Sequence, residues 1–240
     1  IDGEEALTDG TGAEDDVGIS TNINLTDKIS FGAGYTTQTA NATSADDGLF
    51  ERYSAAANLN YAGDNFDIGI AYNLTETFAG NLPNGGSLAG GVSRVPTTVN
   101  SVGARGAVRL GSRTEVGGFV EYIDLDTEAQ TPTGAVETTT DGFSFGANLA
   151  FFDIGKEGST LGLAFASRAF FDELDVTGPG GNTNTVSLQD DRTYLAEVSY
   201  DLPVNDNVSI TPGLIAIFNP EADSDNDEVY VGVVRTTFSF

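Results

Sequence analysis

Five arginines and four carboxylates fall on the polar side of strand-like runs that alternate apolar and polar residues. Arg52, Arg105, Arg109, Arg168 and Arg235 are expected to project to the same side as Asp67, Glu115, Glu121 and Glu197. Charges gathered on one face of a sheet can order ions and hydrogen-bonding solutes in a water-filled passage. They can also pair across neighbouring strands and stiffen the wall. Neither is catalysis, and no enzyme is expected. The chain has 0 His and 0 Cys, which removes Ser-His-Asp triads, imidazole switches, thiolate metal sites and disulfides.

Two short motifs look chemical and do not hold up. "GFSFG" (Gly142–Gly146) matches the G-x-S-x-G of a nucleophile elbow. That elbow needs a strand-to-helix turn and a histidine partner. Here Phe143 and Phe145 alternate with Ser144 inside a strand-like run, so Ser144 reads as an inward-facing serine. "DSDNDE" (Asp223–Glu228) begins like a calcium loop, but such a loop wants Gly at its sixth place and Glu at its twelfth. Glu228 and Val234 stand there instead. A loosely held Ca2+ or Mg2+ at Asp223, Asp225 and Asp227 remains open beside a plain solvated acidic surface, and no other metal or cofactor is expected.

The elements that position these residues are strands. Helical periodicity is nearly absent and period-2 alternation runs throughout. Eleven strands are expected, at 17–25, 29–37, 53–61, 66–74, 99–110, 114–123, 142–151, 160–171, 193–202, 208–218 and 229–240. Most have the length a tilted strand needs to cross a bilayer. Connections alternate between short (26–28, 62–65, 111–113, 152–159, 203–207) and long (38–52, 75–98, 124–141, 172–192, 219–228). The long segments and residues 1–16 hold 26 of the 36 acidic residues, while Lys28, Arg113 and Lys156 fall in short turns. The two ends of the sheet therefore differ chemically.

One face of the strands carries no charge and reads, for example, Ile29, Phe31, Ala33, Tyr35, then Phe66, Ile68, Ile70, Tyr72. The other is small, polar and charged. Tyr35, Tyr53, Tyr72, Tyr122, Phe143, Phe171, Tyr194, Phe218 and Tyr230 fall near the long-loop ends, and Tyr61, Phe66, Phe151, Tyr200 and Phe240 near the short-turn ends. Two aromatic belts with aliphatics between them match the girdles of a transmembrane antiparallel up-and-down β-barrel. Inward aromatics are expected to be few, Phe119 and Phe170, which weighs against a sugar-specific track. A net charge of −26 excludes DNA or RNA phosphate as a partner. Eleven strands leave an open edge, which lipid does not tolerate. "IDGEEALTDGTGAEDD" reads as the middle of an acidic loop, so the chain is expected to be the C-terminal part of a longer barrel of roughly sixteen strands.

The ending "YVGVVRTTFSF" resembles the terminal strand of bacterial outer-membrane proteins, with Tyr230, Val234, Phe238 and Phe240 as the alternating apolar positions. Together with "YDLPVNDNVSITPGLIAIFNP" before it, this stretch is similar to the end of the OprB-like porins of cyanobacteria. The resemblance implies one porin barrel domain over 1–240 and recognition of the last strand by the barrel-assembly machinery. It further implies a homotrimer in outer-membrane lipid and lipopolysaccharide, and passage of ions, small hydrophilic solutes or carbohydrate. An S-layer-homology domain before the barrel would accompany it. Two rivals stand beside a porin: an outer-membrane barrel that anchors the envelope, and a secreted soluble β-rich adhesin.

Overall fold

The computed structural model describes residues 17–37, 53–78 and 96–239. It is a single antiparallel sheet. The strands are β1 (Val17–Asn24), β2 (Ile29–Thr37), β3 (Tyr53–Ala62), β4 (Phe66–Phe78), β5 (Pro96–Leu110), β6 (Thr114–Thr131) and β7 (Gly134–Phe152). They continue as β8 (Thr160–Phe170), β9 (Glu173–Thr177), β10 (Thr183–Ser187), β11 (Tyr194–Asn205), β12 (Val208–Phe218) and β13 (Val229–Phe238). Eleven of them form the wall, in the order β1-β2-β3-β4-β5-β6-β7-β8-β11-β12-β13. Sequential neighbours pair throughout this wall except where the β9–β10 hairpin stands off the path beside β7. β1 and β13 are its two edges, so the sheet is open.

The eleven wall strands are those expected from alternation. The connections differ at one end. Residues 124–141, expected to be a long loop, are mostly strand: β6 and β7 run on together to a turn at Pro132–Thr133. Residues 172–192 contain the β9–β10 hairpin, whose β9 takes up the pairing with the outer part of β7. Acidic composition concealed these strands. Asp124, Asp126 and Glu128 have low β-propensity but extend an existing ladder, where pairing overrides preference.

The turns at the opposite end are short and locally satisfied. Thr26 Oγ1 accepts from the backbone N–H of Lys28 (3.2 Å) and Ile29 (3.0 Å). Gly111 supplies the positive φ of +74° that the β5–β6 turn requires. In the β7–β8 turn Asp153 Oδ1 accepts from Gly158 N at 2.8 Å, and the fully buried Ser159 donates to the carbonyls of Ile154 and Lys156. Lys28 reaches Asp64 in the next turn at 2.7 Å.

The sheet has almost no buried core. Val99, Ile123, Leu125 and Ala222 are the buried hydrophobics among the described residues. Meanwhile one face displays a continuous apolar band, with Ile19 77%, Val234 71% and Phe238 60% exposed. In water such a surface would associate at once. The aromatic belt is continuous across strands: Tyr72, Val102, Tyr122, Phe143 and Phe170 lie directly opposite one another in one row. Aromatic pairs fall in the belts: Tyr35–Tyr53 at 5.6 Å and Phe165–Tyr194 at 5.5 Å stack on one side, and Tyr61–Phe66 meet in a tilted contact at 5.3 Å on the other.

One β-bulge rewrites a local face. Phe145 lies opposite Ser167, but Phe143 lies opposite Phe170, so β8 holds one extra residue there. Beyond the bulge the parity of β8 reverses. Phe170 therefore faces outward with Phe143, and Phe171 turns inward onto the Val99–Ile123–Leu125 cluster with Ala169. Both positions are the opposite of the simple alternation. Arg168, expected to line the pore, sits inside the bulge between outward Ser167 and inward Ala169, where alternation no longer assigns it a face.

Candidate functional site: the inner face of the wall

The inner face is built from small and polar residues that the strand period places together. Glycine is frequent on it, and two of its glycines seat polar side chains of the next strand. Asn58 lies across Gly32 and Asn60 across Gly69, where an added Cβ would stand 2.8 Å and 2.4 Å from their amide atoms. Asn60 Nδ2 donates to Asn58 Oδ1 at 2.9 Å, and Arg105 Nη2 donates to Asn60 Oδ1 at 3.4 Å. Near the short-turn end this network opens on a cleft of about 220 Å³ lined by Asn24, Lys28, Asn60, Asp67 and Arg105 among others.

Of the remaining expected charges, Arg109, Glu115, Glu121, Glu197 and Arg235 follow the same face, while Arg168 lies in the bulge. Arg109 Nε and Glu115 Oε2 are 3.6 Å apart on directly opposed residues of β5 and β6. The Arg109 guanidinium also lies 4.6 Å over the Phe152 ring. Glu121 Oε2 accepts from the buried Ser144 Oγ at 3.3 Å. Arg235 stands opposite Thr211, which donates to Asp201 Oδ1 at 2.6 Å. Glu197 lies between Ala164 and Ile215. Arg52 and Phe240 lie outside the described residues. Tyr230, Val234 and Phe238 share the outer face of β13.

The glycines of "GFSFG" have a structural use that alternation alone does not reveal. The Phe119 ring lies over Gly146 and the Phe171 ring over Gly142, with Cε1 atoms 2.4 Å and 2.5 Å from where a Cβ would stand. On the opposite face Phe143 and Phe145 stack at 5.6 Å. Arg192, not among the expected functional residues, lies there too. Its guanidinium sits 4.7 Å over Phe170, and its Nη1 donates to Phe143 O (2.7 Å) and Ser167 Oγ (3.0 Å).

Polarity inverts where the strands leave the belt. On β6 the outer residues run Val116, Val120, Tyr122, then Asp124, Asp126 and Glu128. The inner residues run Glu115, Glu121, then Ile123 and Leu125, both buried. The backbone is unchanged across this point, so the surroundings have changed. Below it the outer face meets an apolar medium, and above it the outer face meets water. Asp124 lies just beyond the belt. Burial raises its carboxyl above the usual aspartate range, and the neighbouring Asp126 adds to this, against a hydrogen bond from Asn100. At the loop 223–228, Asp223 Oδ1 accepts from the backbone N–H of Asp225 at 2.8 Å. Among the described residues no group of three or more acidic side chains is placed to hold a metal ion.

Comparison with known proteins agrees with this geometry. Residues 133–240 match the family described as carbohydrate-selective porin, OprB family. The uncharacterized protein alr4550 of Nostoc sp. is 32% identical over 224 residues, covering 88% of this chain and 36% of its own length. The uncharacterized protein sll0772 of Synechocystis sp. is 28% identical over 248 residues, covering 93% of this chain and 43% of its own. The chain thus spans well under half the length of these cyanobacterial relatives. OmpT, an outer membrane protein of Vibrio cholerae, superposes with a TM-score of 0.55 at 11% identity, over 92% of this chain and 64% of that one. A Pseudomonas aeruginosa FadL homologue gives 0.53 at 14%, over 94% and 66%. At such identity the likeness to these solved structures is one of fold: the wall of an outer-membrane β-barrel.

Proposed function

We propose, from the likeness of this wall to the OprB-like porins, that the chain is part of a passive outer-membrane porin that admits ions and small hydrophilic solutes, carbohydrates among them. The observation that carries the reading is the division of one continuous sheet into two faces. The outer face is an exposed apolar band between aromatic belts, and the inner face is a glycine-lined surface of amides, hydroxyls and opposed charges. A passage lined this way replaces part of a solute's hydration without holding it tightly. No reaction is needed for that role, and the matched family is one of porins rather than enzymes.

The rest of the protein supplies strands that pair with β1 and β13 and close a barrel of roughly sixteen, wide enough for an aqueous channel. The short turns face the periplasm. The β6–β7 and β9–β10 extensions, with their acidic outer surface, stand outside the cell and enrich cations near the mouth. Strand β13, with Tyr230, Val234 and Phe238 outward, serves the assembly machinery, and three copies associate in the membrane. The test is conductance of the purified full-length protein in planar bilayers. A folded barrel that passes no current would overturn the porin and leave an anchoring barrel in its place.

A further inference from the structure

We infer that Phe119 is the stacking platform of a sugar subsite on the inner wall, with Glu121, Arg105 and Asn148 as its polar border. The inference rests on the porin reading and names a specificity-determining residue within it.

Aromatic side chains are rare on the inner face, and this one is held in an unusual way. Phe119 does not stand upright into the passage. It lies across the strand interval onto Gly146, its directly opposed residue, with three ring atoms within 3.2 Å of the place a Cβ would take. The ring is nonetheless 40% exposed. A ring held down along the sheet presents its surface to the passage. Covering Gly146 alone would be a structural use of the ring, since an aromatic can shield a strand glycine. The surroundings go further than that use requires.

The border is the kind that recognises hydroxyl groups. Glu121 is two residues along β6 on the same face, about 7 Å away by strand geometry. Its carboxylate is held by Ser144 at 3.3 Å. Arg105 is directly opposite Phe119 on β5, and its guanidinium is steadied by Asn60. Asn148 lies over Gly117, the inner residue before Phe119, with Oδ1 2.7 Å from the Cβ position. The neighbours that could block the ring are minimal: Gly103 opposite Glu121, Ala164 opposite Asn148, and Ala166 opposite Gly146. A flat apolar surface ringed by a half-buried acid, guanidinium and amide suits a ligand with one C–H face and a rim of hydroxyls. A pyranose is such a ligand. Its C–H groups carry partial positive charge and meet the negative face of the ring, while its hydroxyls donate to Glu121 and accept from Arg105. A simple ion has no use for the ring.

The experiment is maltotriose block of the ion current through the full-length protein in planar bilayers, with wild type compared to Phe119→Ala, Phe119→Tyr and Gly146→Ala. Wild type should show a saturable, concentration-dependent reduction of current. Phe119→Ala should raise the half-blocking concentration about tenfold while leaving the sugar-free single-channel conductance equal or slightly higher. Phe119→Tyr should keep the block, which a variant merely folding less well would not. Gly146→Ala, which forces the ring off its seat, should weaken block without touching any hydroxyl-binding group. Equal block in wild type and Phe119→Ala overturns the platform. Open channels that maltotriose never blocks overturn the sugar subsite while leaving the porin standing. Folded protein without channels overturns the porin reading itself.

Discussion

Phe171 lies on Gly142: the Cε1 of its ring is 2.5 Å from the place a methyl on that glycine would occupy. The contact ties the segment after β8 to the inner face of β7. Thr140 Oγ1 donates to Glu173 O at 2.6 Å and Gln189 Oε1 accepts from Phe171 N at 2.9 Å, so the base of the β9–β10 hairpin is held from three directions. Gly142→Val should displace the ring, expose the Val99–Ile123–Leu125 cluster and cost about 1–3 kcal/mol of local stability. Faster amide hydrogen exchange confined to residues 171–188 checks this. Unchanged protection there would mean that the ring is not what holds the hairpin.

Arg192 pins the bulge from the outside. It stacks on Phe170 and satisfies both the Phe143 carbonyl and the nearly buried Ser167 hydroxyl. Arg192→Ala removes a cation–π contact and leaves two polar atoms without their donor, so a loss of about 1–3 kcal/mol is expected. Arg192→Lys keeps the charge without the planar fork and should recover only part of it. Thermal unfolding of the reconstituted barrel reads the series.

Arg109 and Glu115 are opposed and 3.6 Å apart, but both remain substantially exposed, at 49% and 34%. Water and salt screen such a pair, and a double-mutant cycle should give a coupling below about 1 kcal/mol. Their effect on ions should be larger than their effect on folding. Arg109→Glu places two negative groups side by side on the inner face and, if the proposed porin reading holds, should shift the reversal potential in a salt gradient toward cations. A reversal potential that does not move would place this pair outside the conducting path.

Asp124 makes the outer hairpin pH-sensitive in a defined direction. Burial and Asp126 raise its folded carboxyl above the unfolded value, so the folded protein holds the proton more tightly. Its contribution to stability is therefore fully present below the ordinary aspartate value and is lost as pH rises through the raised folded value. Asp124→Asn should stabilise the β6–β7 extension at neutral pH and flatten its dependence across that window. Hydrogen exchange of residues 124–141 in both proteins, followed from acid to neutral pH, checks the sign. A wild-type extension that loosens on acidification relative to Asp124→Asn would contradict it.

The legibility of this protein divides along a physical line. Alternation with a period of two is a property of neighbours in sequence, and two immiscible surroundings enforce it in every strand. So the eleven wall strands, the faces of Arg105, Glu121 and Arg235, the belts and the chemically different ends were readable from residue order. The strand extensions were hidden because Asp124, Asp126 and Glu128 resemble loop residues wherever the outer face meets water.

What only the tertiary structure decided concerns register and reach across strands. One extra residue in β8, visible only once β7 lies beside it, exchanges the faces of Phe170 and Phe171 and removes Arg168 from the simple pattern. Gly142 and Gly146 look like spacers in "GFSFG" until the rings of Phe171 and Phe119 arrive from residues 29 and 27 positions away. A period of two tells each side chain which medium to face. Which backbone it then lies against depends on pairings between distant segments, and those exist only in the assembled sheet.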